Sequence, residues 1–157
     1  MGSHSEIMNE KSDVYRVDIC RTECDEYSID IDFAFITAQG PHYEVHAIHA
    51  PPDIFEVKAH TLSKILSGKI SLPRTLDFGL GSIGGRYVNF CFHHNGDQVI
   101  ILTCTAYERT FEQVKDGPLS FDITERACME LLLDGLRFLS TTPSSTYTWT
   151  IGNANEP

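Results

Sequence analysis

Positive charge is scarce in this chain. Lys and Arg number 12 against 22 Asp and Glu, a net charge of −10. Displacing counterions from nucleic acid takes clustered Lys and Arg, so that class of partner is excluded. Attachment to an anionic membrane surface is excluded for the same reason. Long hydrophobic runs are also missing: no apolar stretch approaches the ~18 residues that cross a bilayer. The opening residues, Met1-Gly2-Ser3-His4-Ser5, lack the basic and apolar regions of a secretory signal and read as a tag remnant. A cytoplasmic location is expected. Neither Cys-x-x-Cys nor His-Glu-x-x-His occurs, which removes the commonest redox and zinc spacings. The five cysteines, Cys20, Cys24, Cys91, Cys104 and Cys128, are odd in number and irregularly spaced, unlike a disulfide framework. Cys91, Cys104 and Cys128 fall in apolar segments and read as core thiols in a reducing compartment. Cys20 and Cys24 have three residues between them rather than two, and read as an exposed, inert pair.

What is present is an ordinary globular composition. At 157 residues and 41% hydrophobic, the chain fits one domain that needs no metal or disulfide staple. The reading is a flexible N-terminus over 1–12, one domain over 13–152 and a flexible tail over 153–157. Residues 13–20, 28–37 and 42–50 alternate apolar and polar, which predicts an antiparallel meander with one wet face. Pro51-Pro52 ends it. Asp53 with Glu56, and Asp122 with Glu125, have capping-box spacing. They introduce amphipathic helices expected over 54–67 and 123–139. The second helix is expected to bury Leu131, Leu132 and Leu136, and the first Leu62 and Leu66. Strands are expected over 70–78, 86–94, 98–107 and 147–151. Asn95-Gly96 marks a two-residue hairpin turn. With that turn the pair reads as apolar on both faces: Val88, Phe90, Phe92, Val99 and Ile101 on one, Cys91, Ile100, Leu102 and Cys104 on the other. The second apolar face would suit a homodimer. The fold class is α+β: two layers, a mostly antiparallel sheet of about six or seven strands, with two helices on one face.

No residue set specifies chemistry. Gly79-Leu80-Gly81-Ser82-Ile83-Gly84 matches the dinucleotide pattern but precedes a strand, whereas the motif works through a helix N-terminus. Ser82 lacks the glycine two residues earlier that a nucleophile elbow requires. His42, Glu44 and His46 share one face of a strand, about 7 Å apart along it, and an extended row of three cannot surround one ion. His49 falls on the opposite face if that strand stays regular. No catalytic residue, cofactor or metal is therefore expected.

The most informative feature is acidic. Residues 18–32 hold six acids, Asp18, Glu23, Asp25, Glu26, Asp30 and Asp32, and one base, Arg21. On the wet face of the meander they would form a patch that steers a cationic partner. Early strands, a helix from Phe55 to Leu66, a hairpin from Tyr87 to Tyr107, a closing helix from Ile123 to Leu139 and Phe-rich strands such as Val88-Asn89-Phe90-Cys91-Phe92 together cover about residues 13–140. In this arrangement the chain resembles the small acidic immunity proteins of bacterial toxin systems, and uncharacterised bacterial domains of similar size. The resemblance implies a non-catalytic protein that neutralises a cognate basic toxin domain by binding it. Two alternatives stand beside it: a small-molecule-binding or hydrolytic enzyme using the histidine strand or the glycine-rich loop, and a structural or regulatory dimeric domain whose acidity serves solubility.

Overall fold

The computed structural model describes residues 13–79, 85–108 and 118–152. Residues 1–12, 80–84, 109–117 and 153–157, and with them the expected flexible ends and most of the glycine-rich stretch, lie outside the described residues. The chain is α+β, as its patterns predict. The strands, expected in one sheet, divide into two antiparallel sheets of four among the described residues. The first sheet is built from β1 (Arg16–Asp25), β2 (Ser28–Thr37), β3 (Gly40–Ala50) and β8 (Ser145–Thr150), in the order β3-β2-β1-β8. The second takes β4 (Arg74–Gly79), β5 (Arg86–His94), β6 (Ile100–Glu108) and β7 (Leu119–Ile123) in sequence order. Helix α1 (Ile54–Leu66) links the two sheets. Helix α2 (Arg126–Thr141) returns the chain to the first, where β8 pairs with β1.

The alternation of apolar residues in β1 and β2 gives the first sheet one dry face. Val17, Ile19, Phe33, Phe35, Val45 and Trp149 lie on it and are fully buried. It meets the buried face of the second sheet, Phe78, Val88, Phe90, Phe92, Leu102 and Cys104. Phe90 is the junction, edge-on to Phe78 and Trp149, with ring centroids 5.8 and 5.9 Å away. Such edge-to-face geometry suits the ring quadrupoles. The helices pack on each other, α2 also against β8 and α1 also against β4. Trp149 Nε1 donates to the Cys128 carbonyl at 2.8 Å, and the Arg126 guanidinium donates to the Leu66 carbonyl, tying the end of α1 to the start of α2.

Several expectations change for definable reasons. The β5–β6 connection is a three-residue loop, not the two-residue turn that Asn95-Gly96 signals. Asn95 N–H donates to the Val99 carbonyl at 3.0 Å, Gln98 N–H donates to the Asn95 carbonyl at 3.1 Å, and Gln98 takes φ 65°. Asn95 Oδ1 accepts from the Asp97 and Val99 amides at 2.8 and 3.0 Å. An altered loop length moves the register, and a one-residue move flips every side chain of a strand. Phe90 therefore faces Cys104 and Phe92 faces Leu102, so these four share the buried side. The outer side carries Tyr87, Asn89, Cys91, His93, Ile101, Thr103, Thr105 and Tyr107, a mixed rather than wholly apolar face. The wholly apolar second face expected from the two-residue turn is therefore not formed. Cys91 and Cys128 are half-buried rather than core, while Cys104 is buried and its thiol is pushed up by desolvation.

The second helix begins at Arg126, because Ile123 closes strand β7. Neither helix start has a side-chain cap, so the capping-box spacing at Asp53 and Asp122 does not act as one. Met129, Leu132, Leu133, Leu136 and Leu139 form the buried stripe of α2, and Leu131 is 40% exposed.

Candidate functional site

The face of the first sheet opposite its core carries the acidic patch. Strand register decides which acids reach it. Asp18 lies opposite Ala34 and Thr148, Asp30 opposite Thr22, and Asp32 opposite Cys20. All of these side chains stand away from Val17, Phe33 and Phe35. The connection expected over 21–27 is shorter than the sequence suggests: β1 runs on to Asp25, which pairs with Ser28. Glu26 and Tyr27 alone form the hairpin tip, and Tyr27 is 77% exposed there. Asp25 shapes that tip by accepting from the Tyr27 amide at 2.8 Å and the Ser28 hydroxyl at 3.0 Å. These donors hold its carboxyl below the usual aspartate range.

Glu23 does not join the patch. It has the strand parity of Val17, Ile19 and Arg21, so it leans toward the core side. Arg21 is 6% exposed; its guanidinium donates to Glu23 at 2.8 Å and to the Leu139 carbonyl at 2.6 Å. Glu23 also accepts from the Ser144 amide at 3.1 Å. This is a clasp between β1 and the end of α2, and it takes Glu23 out of the six acids expected at the patch. The Arg21 hydrogen bond, against some desolvation, holds the Glu23 carboxyl below its ordinary range. A depressed folded-state pKa means stability that is fully present above the unfolded value and is lost as pH falls through the folded one. The unfolding free energy of Glu23→Gln should therefore fall less steeply than that of the parent chain as pH drops from about 5 toward 2. Parallel acid-side slopes in urea titrations at stepped pH would remove the clasp from the account.

The outer face holds together through its own polar contacts. Arg16 pairs with Asp18 at 3.2 Å, and the Thr148 hydroxyl donates to Asp18 at 3.1 Å. Arg16 is the one Lys or Arg that the four strands of this sheet place on that face. Strand β3 is not regular. Asp32 opposes two residues, His46 and Ala47, because Ile31 pairs with Ile48 while Phe33 pairs with Val45. Ala47 takes φ 56°, and its amide donates to Asp32 Oδ1 at 2.6 Å. A bulge of this kind re-aims the residues after it. It brings His49 to the outer face opposite Asp30, not to the opposite face expected of a regular strand. His49 Nδ1 then lies 2.8 Å from Asp30 Oδ1, and His46 Nε2 lies 3.1 Å from Glu44.

The outer face and hairpin tip thus gather Asp18, Asp25, Glu26, Asp30, Asp32 and Glu44, with the His46 and His49 imidazoles at the β3 edge. Cys24 sits beside them, its thiol pushed up by desolvation and by the neighbouring Asp30. A raised thiol pKa disfavours the thiolate that nucleophilic catalysis needs. Sequence reasoning missed Tyr27, Glu44, Cys24 and His49 as members of this surface. Glu44 was legible, since β3 alternates there and it shares its face with His46. The protein-family models contain no match to this chain, and neither the curated proteins nor the solved structures give a significant one.

Proposed function

We propose that this chain is a non-catalytic binding protein that receives a cationic protein partner on the outer face of its first sheet. Its specific form, on the resemblance to bacterial immunity proteins, is the cytoplasmic neutralisation of a cognate basic toxin domain. One observation carries the reading: strand register and the β1–β2 hairpin gather six acids on a single face and hairpin tip, while the one Arg of that face is already paired. A face of one sign raises the encounter rate of an oppositely charged partner and repels wrong ones. Tyr27 supports it further: it is 77% exposed at the tip, and Tyr is enriched among the residues that carry binding energy at interfaces. Acidity kept for solubility alone would be spread over the surface rather than gathered around one aromatic.

The test is a hydrogen-exchange footprint with the basic partner, found as the product of a neighbouring toxin gene. Protection should centre on residues 18–32 and 44–49. Protection confined to the second sheet, with none on β1 or β2, would overturn the assignment of the face.

A further inference from the structure

Three strands deliver a sulfur, a carboxylate and an imidazole to one point on the outer face. The ligand atoms of Cys24 on β1, Asp30 on β2 and His49 on β3 all lie within 4.8 Å of one another. Regular strands would not assemble this trio. Between Glu23 and Asp25 the β1–β2 register shifts, so Cys24 is an extra residue set diagonally to Asp30. Between Phe33 and Ile31 the β2–β3 register shifts as well, and this turns His49 outward. Irregularities on both neighbouring strands converge on Asp30, and bulges concentrate where a side chain must be re-aimed for a site. We propose that Cys24, Asp30 and His49 bind a zinc-class divalent transition-metal ion, with a fourth coordination position left to water.

The donor set selects the ion. Calcium and magnesium take oxygen ligands, whereas one sulfur, one nitrogen and one oxygen suit a borderline-soft ion such as Zn²⁺ or Co²⁺. Ligand atoms of a tetrahedral zinc site stand about 3.5 Å apart, given bonds of 2.0–2.3 Å. Reaching that spacing takes side-chain movement of about an ångström: the Asp30–His49 pair opens from 2.8 Å and the other separations start within 4.8 Å, with Cys24 and His49 exposed and Asp30 half-buried. Binding releases the Cys24 proton to solvent, and the imidazole nitrogen exchanges its hydrogen bond for the metal. Asp25 and Asp32 flank the trio and add negative potential without occupying a ligand position. Chain spacing alone gave no expectation of a metal, because the three ligands lie 6 and 19 residues apart and meet only through the bulges. A metal here would also lower the negative charge of the proposed partner face, yet its binding is measured on the isolated chain and stands or falls without the partner.

Equilibrium dialysis of the full chain, free of any His tag, against Zn²⁺ with elemental analysis should give one ion per chain. Cys24→Ser and His49→Ala should each weaken binding at least tenfold, and Cys20→Ser should leave it unchanged. Co²⁺ should produce a near-ultraviolet thiolate-to-metal charge-transfer band that Cys24→Ser abolishes. Urea denaturation verifies that the variants fold, which their exposed positions favour. Absence of stoichiometric Zn²⁺, or binding that survives both Cys24→Ser and His49→Ala, would overturn the proposal.

Discussion

Leu132→Ala should cost about 2–5 kcal/mol of folding stability, and Leu131→Ala less than about 1 kcal/mol. The two residues are adjacent and chemically identical. They differ in the face of α2 they occupy: Leu132 is fully buried, whereas Leu131 is 40% exposed. Truncating Leu132 forfeits its transfer free energy and leaves a cavity between α2 and the rest of the core. That cavity cannot collapse easily, because the flanking Met129, Leu133 and Leu136 are held by the same stripe. At Leu131 the structural contact is the backbone carbonyl, which accepts from the Tyr147 hydroxyl at 2.8 Å and survives the substitution. The midpoints of urea unfolding, at constant m-value, read both effects. Equal losses at the two sites would mean that α2 is rotated by most of a residue from the orientation described.

That pair shows what the sequence carries and what it withholds. The apolar stripe of α2 is wide, so periodicity marks the helix yet cannot choose between neighbouring leucines. Strands β1 and β2 were legible for the opposite reason. Ile29, Ile31, Phe33 and Phe35 alternate with polar residues, and a period of two admits one dry face. The division into two sheets was not legible, because alternation marks which face of a strand is dry but not which strands pair beyond the helical connection between β3 and β4. Asn95-Gly96 was a true turn signal attached to the wrong loop length, and one residue there exchanged the faces of Leu102 and Cys104.

The candidate site divides in the same way. Asp18, Asp30 and Asp32 follow from strand parity. The same parity could have removed Glu23, which shares it with Val17 and Ile19 in β1. The trio around Asp30 was hidden because bulges have no strong sequence signature when the residue at positive φ is Ala47 rather than glycine.

The central claim is that the acidic face captures a cationic partner. Its most direct test is the association rate constant of that partner with the parent chain and with the four-fold variant Asp25→Asn, Glu26→Gln, Asp30→Asn and Asp32→Asn. The measurement belongs at low ionic strength and with a chelator present, so that metal binding at Cys24 has no part in the outcome. The Asn side chain keeps an oxygen acceptor for the Ala47 amide at position 32 and for the Tyr27 amide at position 25, so the hairpin and bulge persist and stability should fall only modestly. Steering by a field of one sign accelerates encounter by roughly 10–10³-fold, and charges at an interface rim act mainly on the association step. The account predicts a drop of at least about tenfold in the association rate, a smaller change in dissociation, and convergence of the two proteins as salt approaches 1 M, where the screening length is ~3 Å. Equal association rates at low salt would contradict it.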